Sequence, residues 1–156
     1  MSDTLDSLIV RAMEERDLVY VMPIEIDSFP DPWAPIALLS DMQHNPRARY
    51  YVALLNEVVC GYLALWETSR GAEILKLAVS ENTREKGIGT LLVTTALKDL
   101  SCSKESGYAR VLVRASNVLA QEFYLRFGFA YVERFPQYYN APPEDALAFV
   151  FTVQQM

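Results

Sequence analysis

Apolar and polar positions change period several times along the chain, and each change marks a new element. Ser7 to Met13 is a short apolar run that predicts a strand, and over Glu14 to Ser28 the residues Leu18, Val21, Met22 and Glu25 recur at helical spacing. Phe29-Pro30-Asp31-Pro32-Trp33 ends that helix, because each proline fixes φ and removes a backbone donor. A second helix is predicted over Pro35 to Met42. Arg49 to Leu55 and Val58 to Trp66 flank the polar pair Asn56-Glu57, which predicts a β-hairpin. Ala72 to Val79 predicts another strand. After the polar stretch Ser80 to Thr83 the period moves from two to 3.6, with Ile88, Leu91, Leu92, Thr95, Ala96 and Leu100 on one helical face. Gly107 separates this helix from a β-branched strand, Tyr108 to Val113. Asn117 then opens a helix whose apolar stripe is Leu119, Phe123 and Phe127, with Gly128 placed to end it. Phe129 to Phe135 and Ala146 to Val153 read as closing strands.

No internal repeat, low-complexity run or Gly/Ser linker divides these elements, so residues 1–156 are expected to form one domain. The expected fold is α/β, a mixed central sheet flanked by helices on both faces. Composition agrees: 156 residues with 51% hydrophobic and 22% charged side chains exclude a disordered chain and allow a real core. No apolar stretch approaches the roughly 20 residues of a membrane span, and Met1 to Asp17 scatters charges where a signal peptide needs an apolar run. The expectation is a cytoplasmic protein with no membrane partner. Twenty acidic against fourteen basic residues give a net charge of -6, so direct nucleic-acid binding is not expected and any anion site must be local. Cys60, Cys102 and the single His44 are too few for a metal cluster or a disulfide framework, and no metal is expected.

Such a local anion site is legible between Leu75 and Leu92, where a strand runs through Arg84-Glu85-Lys86-Gly87-Ile88-Gly89-Thr90 directly into a helix. The first-turn N–H groups of a helix lack intrahelical partners, and its dipole favours negative charge there. Glycines let a ligand approach the backbone. The loop lacks the Gly-Lys-Ser/Thr ending of a nucleotide P-loop, and Leu92 stands where a dinucleotide fingerprint carries its third glycine. Taken alone, it fits a solvated helix start as well.

The wider pattern resembles the GNAT superfamily of acetyl-CoA-dependent N-acetyltransferases, whose signature Arg/Gln-x-x-Gly-x-Gly/Ala is met by Arg84, Gly87 and Gly89. The resemblance extends further, to the ribosomal-protein-alanine N-acetyltransferase (RimI) type of protein N-terminal acetyltransferase. Glu25 to Phe29 with Pro32-Trp33, Leu77-Ala78-Val79, Val113 to Asn117, Phe123-Tyr124, Phe127 to Phe129, Tyr138-Tyr139 and Glu144 to Ala146 carry that resemblance. It implies that backbone groups of Leu77, Ala78 and Val79 face the pantetheine arm and thioester of acetyl-CoA, and that Glu85 to Thr90 hold the pyrophosphate. It implies Asn117 as a cofactor contact and Tyr124 as the proton donor to the departing thiolate. The seven-residue spacing independently puts Asn117 and Tyr124 on one helical face. Asn117 as a plain N-cap and Tyr124 as a core aromatic are the structural alternatives. The resemblance also places Glu25 and Phe29 in a segment lining the peptide site, with Tyr138 and Tyr139 bordering the substrate N-terminus. The implied acceptor is a protein or peptide N-terminus, such as that of a ribosomal protein.

One position departs from the pattern: two residues before Arg114, where the RimI type has a glutamate base, stands Leu112. Leucine cannot accept a proton. Glu25 is the first substitute base and Glu73 the second. An α-amine with pKa near 8 is already roughly a tenth neutral at pH 7, whereas a lysine near 10.4 is neutral to about one part in a few thousand. A missing base therefore favours an N-terminal amine as acceptor. A small amine or lysine side chain, or a non-catalytic acetyl-CoA-binding module, are the other readings. Arg47, Arg49, Arg110 and Arg114 are candidates for the cofactor's 3'-phosphate.

Overall fold

The structure is a computed structural model that describes residues 6–103 and 107–153. Residues 1–5, 104–106 and 154–156, and the side chains of Ser101, Cys102 and Ser103, lie outside the description. Seven strands form a mixed sheet: β1 Leu8–Ala12, β2 Ala48–Leu55, β3 Val58–Thr68, β4 Gly71–Val79, β5 Tyr108–Arg114, β6 Ala130–Asn140 and β7 Pro143–Thr152. The helices are α1 Leu18–Ser28, α2 Pro35–His44, α3 Ile88–Ser103 and α4 Val118–Phe127. The chain packs as two compact units, 1–64 with 76–95 and 65–75 with 96–156.

In the first unit the strand order is β1-β2-β3-β4. β1 pairs antiparallel with β2 from Leu8↔Leu55 to Ala12↔Tyr51, and the expected turn at Asn56-Glu57 is made with both residues at positive φ. Successive strand residues point to opposite faces, and Gly61 and Tyr62 show what lies on each. A Cβ at Gly61 would meet Ile88 and Leu92 of α3, whereas the Tyr62 hydroxyl reaches Glu25 of α1. Helices therefore cover both faces here, over a core that includes Val21, Leu38, Val52, Leu63 and Val93.

The helix expected from Glu14 begins at Leu18. Glu15–Asp17 form a 3-10 turn instead, pinned by the Asp17 carboxylate, which accepts from the Glu14 N–H at 2.8 Å and from Arg11 at 2.7 and 2.8 Å. Helix α2 runs two residues past its predicted end, to His44.

In the second unit the order is β4-β5-β7-β6. β5 and β7 pair antiparallel from Tyr108↔Thr152 to Arg114↔Ala146. The edge strand β6 is longer than expected and continues through Pro136 to Asn140, with register shifts between Tyr131 and Glu133 and between Phe135 and Tyr139. An edge strand tolerates a proline because one side of it needs no ladder donor. Helix α4 closes on Gly128, whose φ of 125° is open to glycine and strained for other residues. Phe127, Phe129 and Phe151 pack with ring centres 5.3–5.7 Å apart, Phe127 edge-on to the other two and Phe129 stacked on Phe151.

Candidate active site

The parallel ladder between β4 and β5 runs only from Gly71↔Tyr108 to Ile74↔Val111, although β4 continues to Val79 and β5 to Arg114. The backbone of Leu77, Ala78 and Val79 thus lies beyond the end of that ladder. A short 3-10 turn, Glu81–Thr83, leads into the Arg84–Thr90 loop. Arg84 folds back on the strand, its Nε donating to the Val79 carbonyl at 3.3 Å. Glu85 and Gly87 adopt positive φ of 66° and 79°, which turns the chain sharply before α3 starts at Ile88. A Cβ at Gly87 would meet nothing within 4 Å, so the backbone there is open to a ligand. Lys86 contributes an exposed cation, 3.9 Å from the exposed Asp6 carboxylate. Open backbone at a helix start, with two nearby cations, suits a pyrophosphate.

Asn117 is the N-cap of α4: its Oδ1 accepts from the Ala120 N–H at 3.1 Å. Tyr124, two turns on, is only 3% exposed. The rings of Phe123 and Phe129 stand edge-on to it, each 5.1 Å away. Burial pushes the Tyr124 phenol far above its ordinary range, so it keeps its proton at any physiological pH, as a proton donor must.

Glu25 requires a correction. It lies in the last turn of α1, as its helical spacing predicted, but with no exposed surface. One carboxylate oxygen accepts from the Trp33 N–H at 2.8 Å and from the Lys76 ammonium, and the other accepts from the Tyr62 hydroxyl. Burial, and then the Glu25 charge, push the Tyr62 phenol well up. A carboxylate with both oxygens committed and a buried lysine as partner cannot take a substrate proton without breaking that pair. Sequence reading missed Lys76: Leu75, Leu77 and Val79 alternate with it as an equally apolar face, and only the fold shows that Ile74, Lys76 and Ala78 are the buried ones, where a charge needs a partner.

The second substitute, Glu73, faces Arg110 across the β4–β5 ladder and accepts from its guanidinium at 2.7 and 2.9 Å. That pair raises the Arg110 pKa, hydrogen bonding being the main cause. Leu112 is half-buried on the same strand as Arg110. Its carbonyl accepts from the Tyr139 hydroxyl at 3.4 Å. Arg114 is turned inward, donating to the Ala141 and Pro142 carbonyls and to Glu144, with its guanidinium 4.2 Å from the Tyr139 ring centre. Arg110 and Arg114 are thereby engaged within their own unit rather than extended toward a phosphate. Tyr138, edge-on to Tyr139 at 5.0 Å, is 52% exposed and is the member of the pair with the more open ring.

Known proteins share both sequence and fold with this chain. A Bacillus subtilis protein named provisionally as a ribosomal protein bS18-alanine N-acetyltransferase is 30% identical over 146 residues, which cover 94% of this chain and 96% of that one. The crystal structure of the Escherichia coli ribosomal-protein-S18-alanine N-acetyltransferase superposes with a TM-score of 0.82 at 21% identity, covering 94% of each chain. That of Arabidopsis thaliana NAA60 in complex with acetyl-CoA also gives 0.82, at 20% identity, covering 95% of this chain and 99% of the other. The two crystal structures establish a shared fold. Residues 18–129 match the acetyltransferase (GNAT) family, so the chain belongs to that family and is an N-acetyltransferase.

Proposed function

We propose that this chain transfers the acetyl group of acetyl-CoA to the α-amine of a protein N-terminus. The observation that carries the choice of amine is the state of the three positions at which a base was sought. Position 112 is leucine, Glu25 is held by Lys76, Tyr62 and Trp33, and Glu73 is held by Arg110. An enzyme without a ready carboxylate suits an acceptor that is already partly neutral, and an α-amine near pKa 8 meets that condition where a lysine near 10.4 does not. The relative from Bacillus subtilis supports the same class of acceptor by its name, and a ribosomal protein tail is a fitting candidate.

Acetyl-CoA supplies the activated acyl group, and the described residues fit it by the open backbone at Gly87 and the free course of β4 past Ile74. The N–H groups from Glu85 to Thr90 bind the pyrophosphate, and Arg84 and Lys86 add positive charge. Backbone of Leu77 to Val79 orients the pantetheine arm and polarises the thioester carbonyl. The substrate amine bonds to the carbonyl carbon, the C–S bond breaks, and Tyr124 gives its proton to the leaving sulfur. The amine's surplus proton goes to water, and water returns a proton to Tyr124. Tyr138 and the half-exposed Phe29 would border the peptide. Asn117 serves the cofactor through the position of α4, its side chain being used as a cap.

Thiol release on mixing the protein with acetyl-CoA and a panel of N-terminal peptides, polyamines and lysine peptides tests this reading. Release with the peptides, at blocked lysine and free α-amine, is the expected result. Release confined to polyamines or lysine side chains would overturn it, and acetyl-CoA binding without release to any amine would reduce the protein to a binding module.

A further inference from the structure

We propose that Lys76 is a positioning residue that holds the Phe29–Trp33 bend against strand β4, so that an incoming N-terminus meets a fixed aromatic wall. This rests on the N-terminal acetyltransfer reading above. The cation is nearly sealed: its side chain is 6% exposed, and that of its partner Glu25 is 0% exposed. The ammonium lies 4.4 Å from the Phe29 ring centre and 4.7 Å from that of Trp33. Glu25 closes the group by accepting from the Trp33 N–H at 2.8 Å and from the Tyr62 hydroxyl. One cation thus joins the end of α1, the bend that follows it and the strand residue immediately before Leu77.

The need for such a clamp follows from the bend itself. Pro30, Asp31 and Pro32 are exposed, and two prolines leave the segment short of backbone donors. Its anchors include the Phe29 N–H, which donates to the Glu25 carbonyl at 3.2 Å, the Trp33 N–H and the two rings. A buried ion pair is a weak source of stability, because desolvation offsets most of the Coulomb gain, but its geometry is directional. An isoleucine or leucine would fill the same inward position of β4 at no desolvation cost. The inner faces of Phe29 and Trp33 are taken by the protein's own cation, while both side chains stay half-exposed. The exposed parts are available to a peptide, and Lys76 fixes where they stand.

The test compares the parent chain with Lys76→Met, Lys76→Arg, Glu25→Gln and the double variant Glu25→Gln/Lys76→Met. The readouts are steady-state acetylation of an N-terminal peptide, acetyl-CoA calorimetry and amide hydrogen exchange at Trp33. Lys76→Met is expected to raise the peptide KM roughly ten- to a hundred-fold, as expected when a misplaced wall loosens substrate positioning, while kcat and acetyl-CoA affinity change less than about three-fold. Exchange at Trp33 should quicken, and Lys76→Arg should restore part of both. Should Lys76→Met fail to fold because Glu25 is left as an unpaired buried charge, the neutral double variant removes that charge and should fold with the raised KM. An unchanged KM in whichever variant folds, or a loss confined to kcat, overturns the proposal. So does Trp33 exchange in the parent at the rate of an exposed loop, a result that needs no variant. If the parent acetylates no N-terminal peptide, the acceptor assignment falls, and Trp33 exchange in parent and variants still decides the clamp.

Discussion

Replacing Tyr124 by phenylalanine removes one hydroxyl and leaves the ring where it is. Tyr124 is 3% exposed, and its described neighbours, Phe123 and Phe129, contact the ring at 5.1 Å, an arrangement that phenylalanine repeats. Stability should therefore move by less than about 1 kcal/mol, since packing is kept and a desolvated hydroxyl is lost. Turnover should move much further. Loss of a general acid typically costs ~100- to 10,000-fold, or roughly 2.7–5.5 kcal/mol in the barrier at ~1.36 kcal/mol per decade. Because burial holds the phenol well above its ordinary range, it stays protonated across the assay range. The deficit should be flat from about pH 6 to about pH 9. Thiol release under saturating acetyl-CoA and peptide, alongside thermal melting and coenzyme A calorimetry, measures all three quantities. A kcat within about three-fold of the parent would refute the proton-donor role and leave Tyr124 a core aromatic.

Gly87→Glu should abolish coenzyme A binding, because it puts a carboxylate where the pyrophosphate meets backbone and forces a side chain to a φ of 79°; calorimetry that finds unchanged affinity would move the site elsewhere. Leu112→Glu should raise activity more at pH 6.5 than at pH 8.5, since an α-amine near pKa 8 is mostly neutral at the higher value; equal gains at both would mean the new carboxylate is not acting as a base. Asn117→Ala should cost about 1 kcal/mol through loss of the cap to Ala120, read as a lower urea midpoint. Burial, before the neighbouring carboxylates, raises the phenols of Tyr50 and Tyr62 above their unfolded value. Their contribution to stability is full below about pH 10 and is lost as pH rises beyond it. The melting temperature should fall above that pH, less steeply in Tyr62→Phe, and an identical slope in that variant would exclude the phenol as the cause.

What the sequence by itself determined is what a few neighbouring residues decide. Among the described residues, periodicity located the seven strands and four helices, and turn and cap residue types located the Asn56-Glu57 turn and the Asn117 and Gly128 helix ends, because each depends on local geometry and local hydrogen bonds. The strand, glycine turn and helix around Gly87 were legible for the same reason. Boundaries failed where a distant or irregular partner intervened: Arg11 helps to hold Asp17 in a 3-10 turn, and β6 runs through Pro136 because it lies on an edge. The candidate site shows the contrast more sharply. Glu25 was read as a free carboxylate, but Lys76, 51 residues away, claims it. Glu73 meets Arg110 across 37 residues, and Arg114 turns under Tyr139 rather than outward. A side chain's type is local information. Its availability for chemistry depends on which charges and donors the fold brings beside it, and those are set by strand register and by packing between elements far apart in sequence.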